Sequence, residues 1–199
     1  MKANLKLIGG KLIKSPKSEN TRPTSLFVRE AIFNILSNKV KESYWLDLFS
    51  GTGSIACEAY NHGAKKIIAI EKNKNNSKIC KNNLLSLHNA ENRKSDMEVI
   101  CKDVLIWTKP NYERKSLSKK VNFSELKFDF IYLDPPYGNN YLNLVLHQVF
   151  NCDFIKKDSM VICEHTPDLE IKKNNLWKII DVRDYGQSRL TFLINIQHS

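Results

Sequence analysis

An α/β fold built on a mostly parallel sheet is what this sequence predicts, and three observations carry the prediction. Short apolar runs alternate with amphipathic stretches from Tyr44 to His165. The runs are apolar at nearly every position, as strands buried on both faces are. The chain then closes on two β-rich runs around Tyr185-Gly186-Gln187-Ser188, the signal of an antiparallel hairpin. Strands that alternate with helices build parallel sheets, because a helical crossover returns each strand in the direction of the last. The expectation is a seven-stranded sheet with helices on both faces and a C-terminal antiparallel hairpin, in a single domain over residues 1–199.

The elements follow in order. Residues 1–23 read as an N-terminal arm in which "LKLIGGKLI" forms a short strand pair. Pro23 stands where a helix opens, a position that tolerates a missing N–H. Val28, Ala31, Ile32, Ile35 and Leu36 repeat at helical spacing, which predicts a helix from Thr24 to Ser37. Tyr44–Phe49 reads as a strand, "SGTGS" as a tight turn and "IACEAYNH" as a helix stopped by Gly63. Lys66–Ile70 is a strand, and Asn73–Leu87 a helix with Ile79, Cys80, Leu84 and Leu87 on one side. Met97–Ile100, Phe128–Leu133 and Ser159–His165 are strands, and Tyr141–Phe150 is a helix. The polar residues 109–127, with five lysines and one arginine against two glutamates, read as a basic surface insertion.

Composition narrows the function classes. A formal net charge of +10 favours a polyanionic partner such as nucleic acid. Lysines far outnumber arginines, a bias that an AT-rich coding sequence also produces. No apolar run approaches the roughly 18 residues of a membrane helix, and the N-terminus has no signal-peptide core. The five cysteines are odd in number and contain no C-x-x-C pair. Reduced thiols in a cytoplasmic protein, with no metal site, are the expectation.

"LDLFSGTGS" follows the first strand of the alternating unit. Gly51 and Gly53 permit a sharp turn and close approach of a ligand to the backbone. The spacing D-x-F-x-G-x-G departs from the G-x-G-x-x-G dinucleotide fingerprint. Asp47, just ahead of the glycines, suits a positively charged ligand better than a pyrophosphate. Glu71 ends the next strand, about twenty residues on, where an acidic residue takes both ribose hydroxyls of an adenosine. Asp103 follows the third strand. In a parallel sheet such strand ends line one crevice, although each carboxylate alone also reads as a helix cap.

On these residues the chain resembles a class I S-adenosylmethionine-dependent methyltransferase, with the Rossmann-like sheet of that superfamily. The resemblance implies that Asp47 and the turn containing Ser50, Gly51 and Gly53 surround the methionine part of S-adenosyl-L-methionine. It implies that Glu71 binds the ribose and Asp103 the adenine amino group.

"DFIYLDPPY" then acquires a chemistry. Asp134-Pro135-Pro136-Tyr137 resembles the motif of enzymes that methylate planar amino nitrogens. Such a nitrogen has its lone pair delocalised and attacks only as it pyramidalises. Asp134 and the Pro135 carbonyl can accept hydrogen bonds from the distorted amine, contacts that strengthen as positive charge develops. Tyr137 can stack on the base. A stiff turn closing a strand is the plain alternative.

"TRPTSLFVREAIFNIL" and "DLFSGTGSIACEAYNHGA", with Glu164 and the final "YGQSRLTFL", resemble the bacterial RsmD-type family, which methylates guanine N2 in 16S ribosomal RNA. The resemblance covers nearly the whole chain. It implies 16S rRNA as partner, within an assembling small subunit, and a monomeric enzyme. It also places Arg22 and Thr24 beside the cofactor and the target base. Arg29 is open to two readings, an RNA phosphate contact or a salt bridge with Glu30 or another acid. Tyr185 and Gly186 read either as the rim of the site or as a plain hairpin turn. The rival readings are a DNA adenine-N6 enzyme, a protein glutamine methyltransferase, or an inactive nucleic-acid-binding protein of the same fold.

Overall fold

The computed structural model describes residues 3–16, 24–91, 95–114, 125–136 and 141–196. They divide into two compact units, Met1–Lys102 and Asp103–Ser199. Arg22 and Tyr137 lie outside the described residues, as do residues 115–124 of the basic insertion.

The first unit opens with an antiparallel hairpin of β1 (Ala3–Lys6) and β2 (Leu12–Ser15). Helix α1 spans Leu26–Leu36, its N-terminus capped by the Ser25 hydroxyl, which accepts from the Val28 amide at 3.2 Å. Its buried face is Val28, Arg29, Ile32, Phe33 and Leu36, so the apolar stripe includes one charge. A 3-10 turn, Ser37–Val40, follows. Strand β3 (Tyr44–Leu48), helix α2 (Ser54–Asn61), β4 (Lys66–Glu71), helix α3 (Lys74–Glu91) and β5 (Asp96–Cys101) then alternate as expected. β3 pairs with β4 in parallel from Tyr44↔Lys66 to Leu48↔Ile70, and β4 with β5 from Lys66↔Asp96 to Glu71↔Cys101. Asn73 starts α3 by accepting from the amides of Asn75 and Asn76.

The second unit holds a short helix α4 (Val104–Trp107), β6 (Phe130–Leu133), helix α5 (Tyr141–Phe150), β7 (Met160–His165), β8 (Trp177–Tyr185) and β9 (Ser188–Asn195). β6 and β7 are parallel, and β9 is antiparallel to both β7 and β8. Tyr185 pairs with Ser188 across the two-residue Gly186-Gln187 turn, with Gly186 at φ 63°. Within the first unit the strand order is β5-β4-β3, all parallel; within the second it is β6-β7-β9-β8, with the C-terminal antiparallel hairpin that the sequence predicts.

The basic insertion differs from its expectation where it is described. Arg114 is not a surface charge: its guanidinium lies 5.1 Å from the Trp107 ring centroid and 4.9 Å from that of Phe154, and it pairs with Asp153. Leu126 is buried as well.

Candidate active site

The glycine turn and the acids around it are built on the three parallel strands of the first unit. β3 delivers Asp47 into the interior, where it is 1% exposed. One carboxylate oxygen, Oδ2, accepts from the Ala56 amide in the first turn of α2 at 3.1 Å, a position where negative charge is favoured. The other, Oδ1, is buried without a partner among the described residues. Burial pushes the carboxyl up to about 8, against the Ala56 hydrogen bond and with a smaller upward push from Glu71.

After β3 the backbone turns through the left-handed region three times, at Phe49 (φ 65°), Gly51 (φ 55°) and Gly53 (φ 82°). Glycine adopts that region freely; a bulky residue such as Phe49 is strained there by about 1–3 kcal/mol. The strain is held by hydrogen bonds. The Ser50 amide donates to the Ile70 carbonyl at 3.0 Å, and the Gly53 amide to the Ser50 carbonyl at 2.7 Å. A Cβ on Gly51 would meet nothing within 4 Å, whereas one on Gly53 would stand 2.5 Å from the Cys80 sulfur. Gly51 thus faces open space, and Gly53 is a packing necessity.

Glu71, at the end of β4, grips this turn. Its Oε2 accepts from the Gly51 amide at 2.9 Å and its Oε1 from the Asn73 amide at 2.6 Å. Each carboxylate oxygen accommodates a second donor. Asp47, Ser50, Gly51, Gly53 and Glu71 therefore lie together in the first unit. An orphaned buried acceptor, open space over Gly51 and a carboxylate already fixed in place fit a ligand with a cationic end and paired hydroxyls.

In the second unit, Asp103 caps α4: its Oδ1 accepts from the Leu105 amide at 2.8 Å. Asp134 follows β6 and is half-buried, Pro135 is buried and Pro136 exposed. All four residues of β6 are buried, so the prolines end a fully covered strand. Behind them Tyr132 donates to Glu164 Oε2, and the Ser188 hydroxyl to Glu164 Oε1 at 2.8 Å. These bonds tie β6, β7 and β9 through one buried carboxylate. The sequence reading picked out Glu164 without these partners.

Arg29 corrects an expectation. It is 1% exposed, so it offers no surface charge to an RNA phosphate; the salt-bridge reading holds with another acid, Glu58, and the pair is buried rather than on the surface. Its Nη1 donates to Glu58 Oε1 at 2.6 Å, Nη2 to the Lys6 carbonyl at 2.8 Å and Nε to the Thr24 carbonyl at 3.2 Å. Glu58 also accepts from the Ile8 amide at 2.8 Å. Burial lowers the Arg29 pKa and raises that of Glu58, each opposed by the attraction of the pair. Removing one partner of such a pair costs about 3–5 kcal/mol, because the other is left buried and charged. Thr24 is also buried, at the mouth of α1. Sequence reading missed Glu58 and Asn83; the signal for both was a polar residue inside an otherwise apolar helical stripe.

Alternating strands and helices with such a glycine turn, strand-end acids and a C-terminal antiparallel hairpin make up the fold of the class I methyltransferases. Within that class the chain belongs to the family described as Conserved hypothetical protein 95, whose model matches residues 6–194. The chain is 29% identical over 182 residues to the Ribosomal RNA small subunit methyltransferase D of Buchnera aphidicola subsp. Baizongia pistaciae, covering 89% of this chain and 80% of that one. It is 26% identical over 177 residues to the protein of that name from Haemophilus influenzae, covering 89% and 84%. Among solved structures, the Escherichia coli protein yhhF has the same fold, with a TM-score of 0.76 at 18% identity over 97% of this chain and 98% of that one. So does the magnesium protoporphyrin IX methyltransferase ChlM of Synechocystis PCC 6803, with a TM-score of 0.60 at 12% identity over 85% and 79%. The RsmD-type resemblance read from the sequence is borne out by the family match and the relatives' names.

Proposed function

We propose that this protein transfers a methyl group from S-adenosyl-L-methionine to the exocyclic N2 amine of a guanine in 16S ribosomal RNA. The observation that carries the reading is the buried, unpartnered Oδ1 of Asp47 beside a glycine turn held open by Glu71. Membership of the family, with relatives named Ribosomal RNA small subunit methyltransferase D, supports the choice of substrate.

When bound, the cofactor supplies a methyl group carried on a positively charged sulfur. Asp47, with Ser50, Gly51 and Gly53, holds its methionine part. Glu71 accepts from the ribose hydroxyls, and Asp103, beyond its capping bond, accepts from the adenine amino group. Asp134 and the Pro135 carbonyl draw the target nitrogen out of planarity by accepting hydrogen bonds from its N–H groups, and their hold tightens as that nitrogen becomes cationic. Asp134 is the first base for the departing proton. Tyr137 stacks on the guanine and keeps the amine in line for transfer. Arg22 and Thr24 flank the base, and lysines of the arm and the insertion meet the RNA backbone. Arg29 takes no part in substrate contact. The enzyme works in the cytoplasm as a monomer, on 16S rRNA in an assembling small subunit.

The test is methyl transfer from labelled cofactor to total RNA, isolated small subunits and DNA, followed by nucleoside analysis. N2-methylguanosine in 16S rRNA is the expected product. Label in N6-methyladenine of DNA, or no transfer to any substrate, overturns the reading.

A further inference from the structure

We propose that Asn83 couples the cofactor turn to the N-terminal hairpin, so that filling the one orders the other. The inference rests on the cofactor part of the reading above and adds a route from that site to the arm.

A two-stranded hairpin is marginal in water and needs an anchor. This one has four-residue strands and is held at separate points. The Ile8 amide donates to Glu58, the Lys6 carbonyl accepts from Arg29, and Lys14 is held by Asn83. Among the described residues, the Asn83 anchor is the one that also reaches the glycine turn. Asn83 lies on α3 and is 3% exposed. Its Oδ1 accepts from the Lys14 amide at 2.9 Å. Its Nδ2 donates to the carbonyl of Lys14 and to that of Thr52, both at 2.9 Å.

The chemistry of the amide makes this a linkage rather than three separate bonds. In an antiparallel pair, alternate residues turn both backbone groups away from the partner strand. Lys14 is such a residue of β2, and the Asn83 amide meets its N–H and C=O as a neighbouring strand would. The two Nδ2 hydrogens go one each to Lys14 and Thr52, so a flipped amide would set an oxygen against two carbonyls. Thr52 stands between the two turn glycines. Its carbonyl and the Gly53 amide belong to one rigid peptide plane, and that amide donates to Ser50 at 2.7 Å. Whatever fixes the turn fixes this plane, then the Asn83 amide, then Lys14. Lys14 is exposed, so an ordered β2 sets the direction of a cation. Such coupling is reciprocal: RNA held by the hairpin tightens the hold on the cofactor.

The experiment is residue-resolved hydrogen exchange on the full chain with and without saturating S-adenosylhomocysteine, with binding followed by calorimetry. In the wild type the Lys14 amide is expected to exchange about tenfold more slowly when the probe is bound, equal to roughly one hydrogen bond of added local stability. Asn83→Ala should bind the probe and lose this change. Asn82→Ala, at an exposed neighbouring position on α3, should retain it. Wild-type protein that binds the probe with Lys14 exchange unchanged overturns the proposal, and this comparison needs no variant to fold. Wild-type protein that fails to bind the probe removes the cofactor reading itself, a separate result.

Discussion

Two turns end two buried strands of this protein, and they are stiffened by opposite means. The turn after β3 is made of residues free to adopt positive φ, at Gly51 and Gly53, with Phe49 forced to join them. Its shape comes from neighbours: Glu71 and Asn83 hold its backbone from α3 and the end of β4. The turn after β6 is Asp134-Pro135-Pro136, where pyrrolidine rings fix φ without help. A turn held by neighbours can be reshaped by a ligand that competes for those neighbours, which suits a binding site. Two ring-fixed residues directly after Asp134 restrict its backbone whatever is bound, which suits a group that must meet a transition state.

Four experiments break or sharpen this contrast. Asp134→Ala should reduce single-turnover methyl transfer by about 10²–10³-fold while cofactor affinity stays near wild type, by analogy with a lost oxyanion-hole donor. Asp134→Asn should fall between. Cofactor affinity lost in step with rate would make the two turns one functional unit. Gly53→Ala should cost about 2–4 kcal/mol of stability in denaturant titration, from the strained φ and the collision with Cys80. Adding Cys80→Ala should return the collision part alone. Glu71→Ala should weaken cofactor binding by about 10- to 150-fold, the loss of charge-assisted bonds worth about 1.5–3 kcal/mol. Calorimetry on the folded variant decides it.

The smallest effect is a pH dependence. Burial holds the Asp47 carboxyl at about 8, so it is mostly protonated at neutral pH. A cationic ligand favours its ionised form, so affinity should rise by less than about tenfold per unit as pH climbs toward 8, then level off. Asp47→Asn should abolish that slope. For stability the sign reverses. The unfolded carboxyl ionises near the ordinary value of about 4 while the folded one keeps its proton, so this residue lowers stability progressively from about pH 4 to 8 and no further above.

Most of the fold was legible because its signals are local. The runs at Tyr44, Lys66 and Met160 are strands within a residue or two of where their apolar stretches begin and end. The 3-10 turn Ser37–Val40 and the single-turn helix Val104–Trp107 were not foreseen, since four residues display no period. The tight turn after β3 was legible from its glycines. The partner of Arg29 was not, because sequence offers the adjacent Glu30 while packing supplies Glu58 from another helix. Arg114 misled for the same reason. In a run of lysines it reads as solvated charge, and only Trp107 and Phe154, from separate segments, reveal it as a stacked one. Asp103 carried both meanings in the sequence, and its capping bond is the one visible in the fold.

The three-way grip of Arg29 says something about the whole charge inventory. The sequence holds 31 basic residues, only six of them arginine. Of the four arginines described, Arg29 bridges helices and hairpin, Arg114 lies against two rings, Arg183 binds Asp181, and Arg189 forks onto Asp184. A planar fork does what an ammonium cannot, and the chain uses it internally. The positive charge these residues leave for a partner is therefore mostly lysine charge: mobile, strongly hydrated and without bidentate geometry. Such a surface senses the density of a polyanion and not its pattern, so selection of one site among many falls to the shape of the active site and not to the grip on the strand.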